Sequence, residues 1–434
     1  MLAIASEPIL SLADTAMLGH LGVEPLAARA IASSLIGAIY WIFGFLVFGT
    51  TTLIGHHHGA DDKEACGEIC LHALLIAVLG GVAVAGAGIL FAPHLYALMG
   101  AQESVLSGGA EYFRIRIAGT PFTFLFYVTV GFLRGVQDTR TPMLVAFSFN
   151  GLNLLLDYVL IYGAFGIPAL GLRGAAIAAL ASQITGGVIC LRLLFFSSYS
   201  VRYGLNRWKW SRRRFLPLFS IGRDLALRTG ALRFSLVFAT GTVARMGAGP
   251  LSSHEIALQL WLLCSDTIDG LAVAGQALVA KYLGAGGADK AYQMGKVLVV
   301  CGSIAGLFFA AGYLLAKQPL IALFTSSAEI AGVLGGGVFL FLALSQPLNG
   351  VVFVLDGFLI GAYDTRFLMW AMLIGALGIF VPLAWISLQW ELGLVGVWIG
   401  LTLLMLWRLA TNLFRFLSGG WRAGFSVSAS SHRG

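Results

Sequence analysis

Three sets of polar side chains lie within otherwise apolar stretches of this sequence, and each has a chemical use. Asp14 stands in the middle of the run Glu7 to Gly22. A carboxylate at the centre of a helix in hydrocarbon costs about 2.5 to 3.5 kcal/mol even on a lenient scale, so it must face a cavity or a partner. A group so placed can take up and release a proton or hold a cation; a hydrogen-bonded structural Asp is the alternative. Asn150, Asn153 and Asp157 recur at spacings of three and four, which puts them on one helical face. That stripe is read either as a cation-coupling network shared with Asp14 or as an interhelical clamp. Asp266, Asp269 and Asp356, with Gln259 and Gln276, form the third set. They could line a cavity and attract cations, or they could be paired structurally by Arg228 and Arg233.

Aromatic residues in the same stretches, among them Tyr127 and Trp261, offer stacking or cation-π contact to a bound organic compound. The run His56-His57-His58 resembles a metal tract but has no second ligand set in view, and it is read as a solvated loop at a helix end. The five cysteines form no CxxC pair, so neither a disulfide framework nor a zinc site is expected. There is no GxxxxGK[ST] phosphate loop, no nucleophile constellation and no cofactor fingerprint. No metal, no cofactor and no enzymatic activity are therefore expected, and any transport must run on an ion gradient.

The elements that carry these residues are membrane helices. The chain is 58% hydrophobic and 11% charged, against about a quarter charged in an ordinary soluble domain. Apolar runs of about twenty residues, the length that a bilayer core of roughly 30 Å demands, recur along it. Punctuation predicts helices over 3–21, 29–54, 68–92, 110–134, 141–163, 171–196, 217–246, 252–281, 292–316, 334–361, 367–388 and 393–416. The domains expected are an N-terminal lobe (1–196), a basic linker (197–216), a C-terminal lobe (217–416) and a tail (417–434). With alternate loops facing opposite sides, the Lys and Arg clusters gather on one side. The positive-inside bias makes that side the cytoplasm, with both termini there. The net charge of +7 is accounted for by this orientation, and no nucleic-acid partner is expected. No cleavable secretory signal is expected either.

The two halves repeat. Gly131-Phe-Leu-Arg-Gly-Val-Gln-Asp-Thr-Arg140 aligns with Gly357-Phe-Leu-Ile-Gly-Ala-Tyr-Asp-Thr-Arg366 at an offset of 226, with seven of ten positions identical. Pro121 aligns with Pro347 at the same offset, Gly59 to Lys63 resembles Gly286 to Lys290, and Gly171 to Gly174 resembles Gly393 to Gly396. An even number of helices separates equivalent loops, so the repeats are parallel. Such two-lobed designs expose a cavity alternately to either side by rocking. The expected fold class is an all-α polytopic membrane protein of about twelve spans in two six-helix lobes.

On Asp14-Thr-Ala-Met-Leu-Gly-His-Leu-Gly22, Gly131 to Pro142, Arg223 to Arg228 and Asp269 to Ala274, the sequence resembles the multidrug and toxic compound extrusion (MATE) family, in the branch named for DNA-damage-inducible protein F. The resemblance covers nearly the whole chain. It implies a bacterial inner-membrane exporter that exchanges H+ or Na+ for small organic, often cationic, compounds. The family's first-helix Asp carries over to Asp14, and its fifth-helix Asn-xxx-Asp pair to Asn153 and Asp157. The acidic residue that the sodium-coupled branch uses in the seventh helix is not evident, which favours H+. The alternatives are a flippase of lipid-linked saccharides, which a cavity lined by several Arg would favour, and an intramembrane enzyme or structural membrane protein.

Overall fold

The structure, a computed structural model, describes residues 17–18, 21, 23–99, 103–164, 166–207, 209–325 and 327–422. Among them all regular structure is helical. The expected first helix, and Asp14 with it, lies outside the described residues apart from positions 17, 18 and 21.

The first half comprises α1 (Val23–Ile42), α2 (Phe45–Gly59), α3 (Lys63–Leu98), α4 (Glu103–Ile117), α5 (Thr120–Gly135), α6 (Arg140–Tyr162), α7 (Gly171–Phe196) and the short α8 (Ser198–Tyr203). Then follow α9 (Arg212–Ala244), α10 (Ala248–Gly284), α11 (Ala288–Leu315), α12 (Lys317–Phe324), α13 (Ala328–Val333), α14 (Phe339–Gly361), α15 (Thr365–Ile374), α16 (Val381–Gln389) and α17 (Gly393–Leu417). Two compact units, Met1–Gly222 and Arg223–Gly434, divide the chain, and the division falls inside α9.

Among the described residues nine helices are long and apolar enough to cross a membrane, ten if a bent pair counts as one span. That pair, Gly108–Ile117 and Thr120–Gly135, turns by 41° where one straight helix over 110–134 was expected. Pro121 explains the break: without an N–H it suits the first turn of a new helix and not the interior of an old one. The expected seventh helix is present as α9 but falls outside that count, since arginines recur along it from Arg212 to Arg233. In the second half the helix kinks within Leu334–Val338, where Gly337 leaves helical geometry at φ 149°, and Gly375–Phe380 widens into a π turn. The first is glycine-rich, and the second precedes Pro382, which can give no hydrogen bond to the turn before it.

The internal repeat is legible in the backbone. After α5 and after α14 the chain turns through a positive φ at Gln137 (70°) and Tyr363 (65°). In both turns the next N–H closes the helix end: Asp138 N–H donates to Leu133 O at 2.8 Å, and Asp364 N–H to Leu359 O at 2.9 Å. Gly171 (φ 54°) and Gly393 (φ 64°) open α7 and α17 alike. The loop before α3 and that before α11 match in backbone at an offset of 225, Asp62 N–H bonding His57 O and Gly287 N–H bonding Tyr282 O. Residue types had aligned those loops two positions differently, because Asp and Lys recur in both.

Close packing through small residues repeats too. A Cβ on Gly81 would approach Pro121 Cα to 2.6 Å, and one on Gly306 would approach Pro347 Cα to 2.6 Å. In the second unit α10 and α14 run in parallel register, since a Cβ on Gly357 would meet Ala272 O at 2.4 Å and one on Gly361 would meet Gln276 O at 2.6 Å. Helices that lack a hydrophobic drive to associate gain contact by such approaches.

Candidate functional site

In the first unit the polar stripe of α6 points inward. Asn153 is 8% exposed and Asp157 2% exposed, while Asn150 is half-buried. The Asn153 amide nitrogen is buried without a hydrogen-bond partner among the described residues, a costly state in an apolar interior. At the far end of α6 the Tyr162 hydroxyl donates to Met17 O at 3.0 Å, and Leu18 and Ile161 share one apolar cluster. Tyr127 belongs to an aromatic group on the same unit: its ring stacks beside Phe124 at 6.1 Å and meets Tyr40 edge-on at 6.2 Å. The Tyr40 hydroxyl in turn accepts from Gln183 Nε2 at 3.3 Å.

In the second unit the residues singled out separate into two kinds. Asp356 is 5% exposed and is gripped on every side. Its Oδ2 accepts from Arg228 Nη2 at 2.5 Å and from Arg408 Nη2, and its Oδ1 accepts from Asn412 Nδ2 at 2.9 Å. Helices α9, α14 and α17 are thus joined by one carboxylate. Arg228 was a partner anticipated from sequence; Arg408 and Asn412 were not. The signal was present, for Arg408 and Asn412 stand four apart, on one face, within the helix expected over 393–416. The cost argument that picked out Asp14 applies equally to an arginine there.

The other kind is accessible. Gln259 and Asp266 on α10 are exposed and lie seven residues, two turns, apart; Asp269, one turn on, is half-buried. No hydrogen bond or ion pair to Asp269 occurs among the described residues, although Asp266, Arg228, Asp356 and Arg408 all lie within electrostatic reach of it. Asp266 faces the charge of Arg233. Trp261 is buried, meets Phe353 edge-on at 5.9 Å, and lines a small, mainly apolar pocket with Trp398, Met405, Thr402 and Ser345.

The polar segment between the halves is docked on the first unit. Lys209 Nζ donates to Glu64 at 3.0 Å, Ser211 N–H donates to His72 Nε2 at 3.1 Å, and Arg214 reaches His57, Asp62 and Glu68. The histidine run is therefore not a solvated loop: it forms the last turn of α2, His56 is 7% exposed, and His57 and His58 meet Arg214 and Tyr203 of the docked segment. Tyr199 adds a hydroxyl donated to Asp138 Oδ2 at 2.7 Å. Burial pushes the Asp138 carboxyl up, but hydrogen bonds from Thr141, Tyr199 and two backbone N–H groups outweigh it and hold the group below its ordinary range. Burial, and then the bond to that carboxylate, raises the Tyr199 phenol to about 12. Among the described residues no cluster of His, Cys, Asp and Glu could hold a metal ion.

A duplicated all-helical membrane fold with carboxylates buried inside each half defines a polytopic two-lobed transporter. The MatE family profile matches residues 1–159 and 231–386, and the chain belongs to that family of multidrug and toxic compound efflux transporters. It is 27% identical to the probable multidrug resistance protein NorM of Thermotoga maritima over 95% of this chain and 89% of that one. Against DNA damage-inducible protein F of Escherichia coli the identity is also 27%, over 96% of this chain and 89% of the relative. The fold matches a solved MOP superfamily transporter from Pyrococcus furiosus with a TM-score of 0.85 at 23% identity, covering 98% and 93% of the two chains.

Proposed function

We propose that this transporter is a secondary antiporter that exports organic cations in exchange for protons, with its proton site in the first lobe on Asp14, Asn153 and Asp157, and Asn150 at its edge. The observation that carries this reading is the buried stripe of α6, whose Asp157 is 2% exposed and whose Asn153 amide lacks a partner among the described residues. A stripe of that kind changes its hydrogen bonding when a neighbouring carboxylate gains a proton, which couples protonation to helix packing. In the second lobe Gln259, Trp261, Asp266 and Asp269 are the groups proposed to meet the organic compound, and in the first lobe Tyr127 is proposed to offer it an aromatic contact. The protein is proposed to lie in the bacterial inner membrane with both termini cytoplasmic, following the distribution of Lys and Arg. Saccharide-lipid flipping draws less support, because it calls for available arginines while Arg228 is committed to Asp356 and Arg233 faces Asp266.

Reconstituted protein should exchange a fluorescent organic cation against an imposed pH gradient. Asp14→Asn and Asp157→Asn should each abolish gradient-driven exchange while leaving the protein monodisperse in detergent. Undiminished exchange in either variant removes that residue from the proton site. Exchange driven by a sodium gradient alone, without a pH gradient, would overturn the choice of ion.

A further inference from the structure

The second-lobe cluster holds two guanidinium groups and two carboxylates, shared unequally. Both Arg228 and Arg408 converge on one oxygen of Asp356, whose other oxygen is taken by Asn412. That grouping carries a net charge of +1 in a buried setting, where an uncompensated charge is costly. Asp269 supplies the balancing charge from α10 yet receives no hydrogen bond among the described residues. The helix register brings it close. Ala272 and Gln276 meet Gly357 and Gly361, so position 269 stands level with position 354, about 3 Å along the axis from Asp356. Asp269, Ala272 and Gln276 occupy one face of α10, that facing α14. Arg228 is 14% exposed, on a flexible side chain, whereas Arg408 is 4% exposed and is further held by the Met405 sulfur and the Phe353 ring. Of the two guanidiniums, Arg228 is paired with Asp356 but is the less tightly held.

We propose that Asp269 is the organic-cation subsite of the second lobe and that Arg228 is its built-in competitor, pairing with Asp269 when the subsite is empty and withdrawing to Asp356 when a cation is bound. The arrangement seen, with Arg228 on Asp356 and Asp269 half-buried and without a hydrogen bond or ion pair among the described residues, is the receptive one. Asp356 then acts as a positioning residue: it never touches the ligand but sets the fraction of molecules in which Asp269 is open. An apparent affinity falls in proportion to that fraction. This inference rests on the reading that the exported compounds are cationic.

The test is equilibrium binding of tetraphenylphosphonium to the purified full-length protein in nanodiscs, at constant pH. Asp269→Asn should weaken binding by about tenfold or more, the scale of a lost close charge pair. Arg228→Gln should tighten it by several-fold, a gain that disappears in Asp269→Asn/Arg228→Gln. Asp356→Asn should weaken binding by about tenfold, by releasing Arg228 onto Asp269, and Asp356→Asn/Arg228→Gln should recover wild-type affinity or better. If Asp356 were itself the cation ligand, the double variant would stay as weak as the single one, and the competitor role would be overturned. Unchanged binding in Asp269→Asn would overturn the subsite. Should Asp356→Asn fail to fold, Arg228→Gln with and without Asp269→Asn decides the matter alone. Wild-type protein that binds no tetraphenylphosphonium, while a fluorescent organic anion binds, would overturn the cationic reading itself.

Discussion

The two halves share a backbone and differ in what they do with a buried carboxylate. The turns after α5 and α14 superpose their hydrogen bonds and their positive φ, yet Asp138 in the first is met by hydroxyls from Thr141 and Tyr199, and Asp364 in the second by the Arg415 guanidinium at 2.6 and 3.3 Å. The same contrast runs inside the bundles. The first half sets Asp157 in line with two neutral amides, and the second encloses Asp356 between two arginines and Asn412. Duplication therefore preserves the parts of a transporter that depend on main-chain geometry and leaves charge free to diverge. A carboxylate bearing two guanidiniums is a strut that ties three helices together, whereas the amide-flanked Asp157 is the one proposed to exchange a proton.

The contrast is sharpest in stability. Asp356→Ala strands Arg408 in the interior, even with Arg228 turned to Asp269, and should cost about 3 to 5 kcal/mol, the scale of a broken buried ion pair. Asn153→Ala in the first half should cost no more than about 1 kcal/mol, since its amide nitrogen already lacks a partner among the described residues. Thermal unfolding of the two variants in detergent compares them; equal losses would break the distinction between strut and switch.

A second comparison is steric. Gly131 and Gly357 are equivalent positions, and a Cβ at either would collide, with Thr50 Cβ and Val47 O at 2.8 Å in the first half and with Ala272 O at 2.4 Å in the second. Alanine at each should destabilise by about 1 to 3 kcal/mol. Gly357→Ala should be the worse, because the atoms it meets are all main chain and cannot turn aside. A reversed order would mean that α10 and α14 adjust more readily than their contacts imply.

The smallest effect concerns the docked segment, which anchors Tyr199 to Asp138 and has no ion pair there. Tyr199 ordinarily loses its proton near 10 and holds it to about 12 when docked. The folded state therefore binds more protons across that window, and this contribution to docking is full below 10 and lost as pH rises toward 12. Asp138, held below its usual 3.8, works in the opposite sense: its contribution is present above that value and fades as pH falls through its lowered range. Hydrogen exchange across 197–207 should quicken at both extremes, and Tyr199→Phe should remove the alkaline limb and weaken the acid one, since the same hydroxyl helps to hold Asp138 low.

How much of this was legible beforehand depends on the range of the interaction. The spans follow from apolar length, and the repeat from seven identities in ten positions around one turn. Intramembrane polar residues announce themselves by their desolvation cost, which is why Asp157, Asp269 and Asp356 stand out without any structure. What a carboxylate pairs with is another matter. Arg228, Asp356, Arg408 and Asn412 lie on three helices separated by up to 184 positions, and only their packing makes one cluster of them. The histidine run looked solvated because its partners, Tyr203 and Arg214, arrive from a segment about 150 positions away. Local pattern determined which residues must be membrane helices and which polar groups had to be accommodated there. Tertiary structure alone decided which of those charges became struts and which stayed accessible, since hydrocarbon fixes the cost of a buried charge and only a neighbour's position determines how that cost is offset.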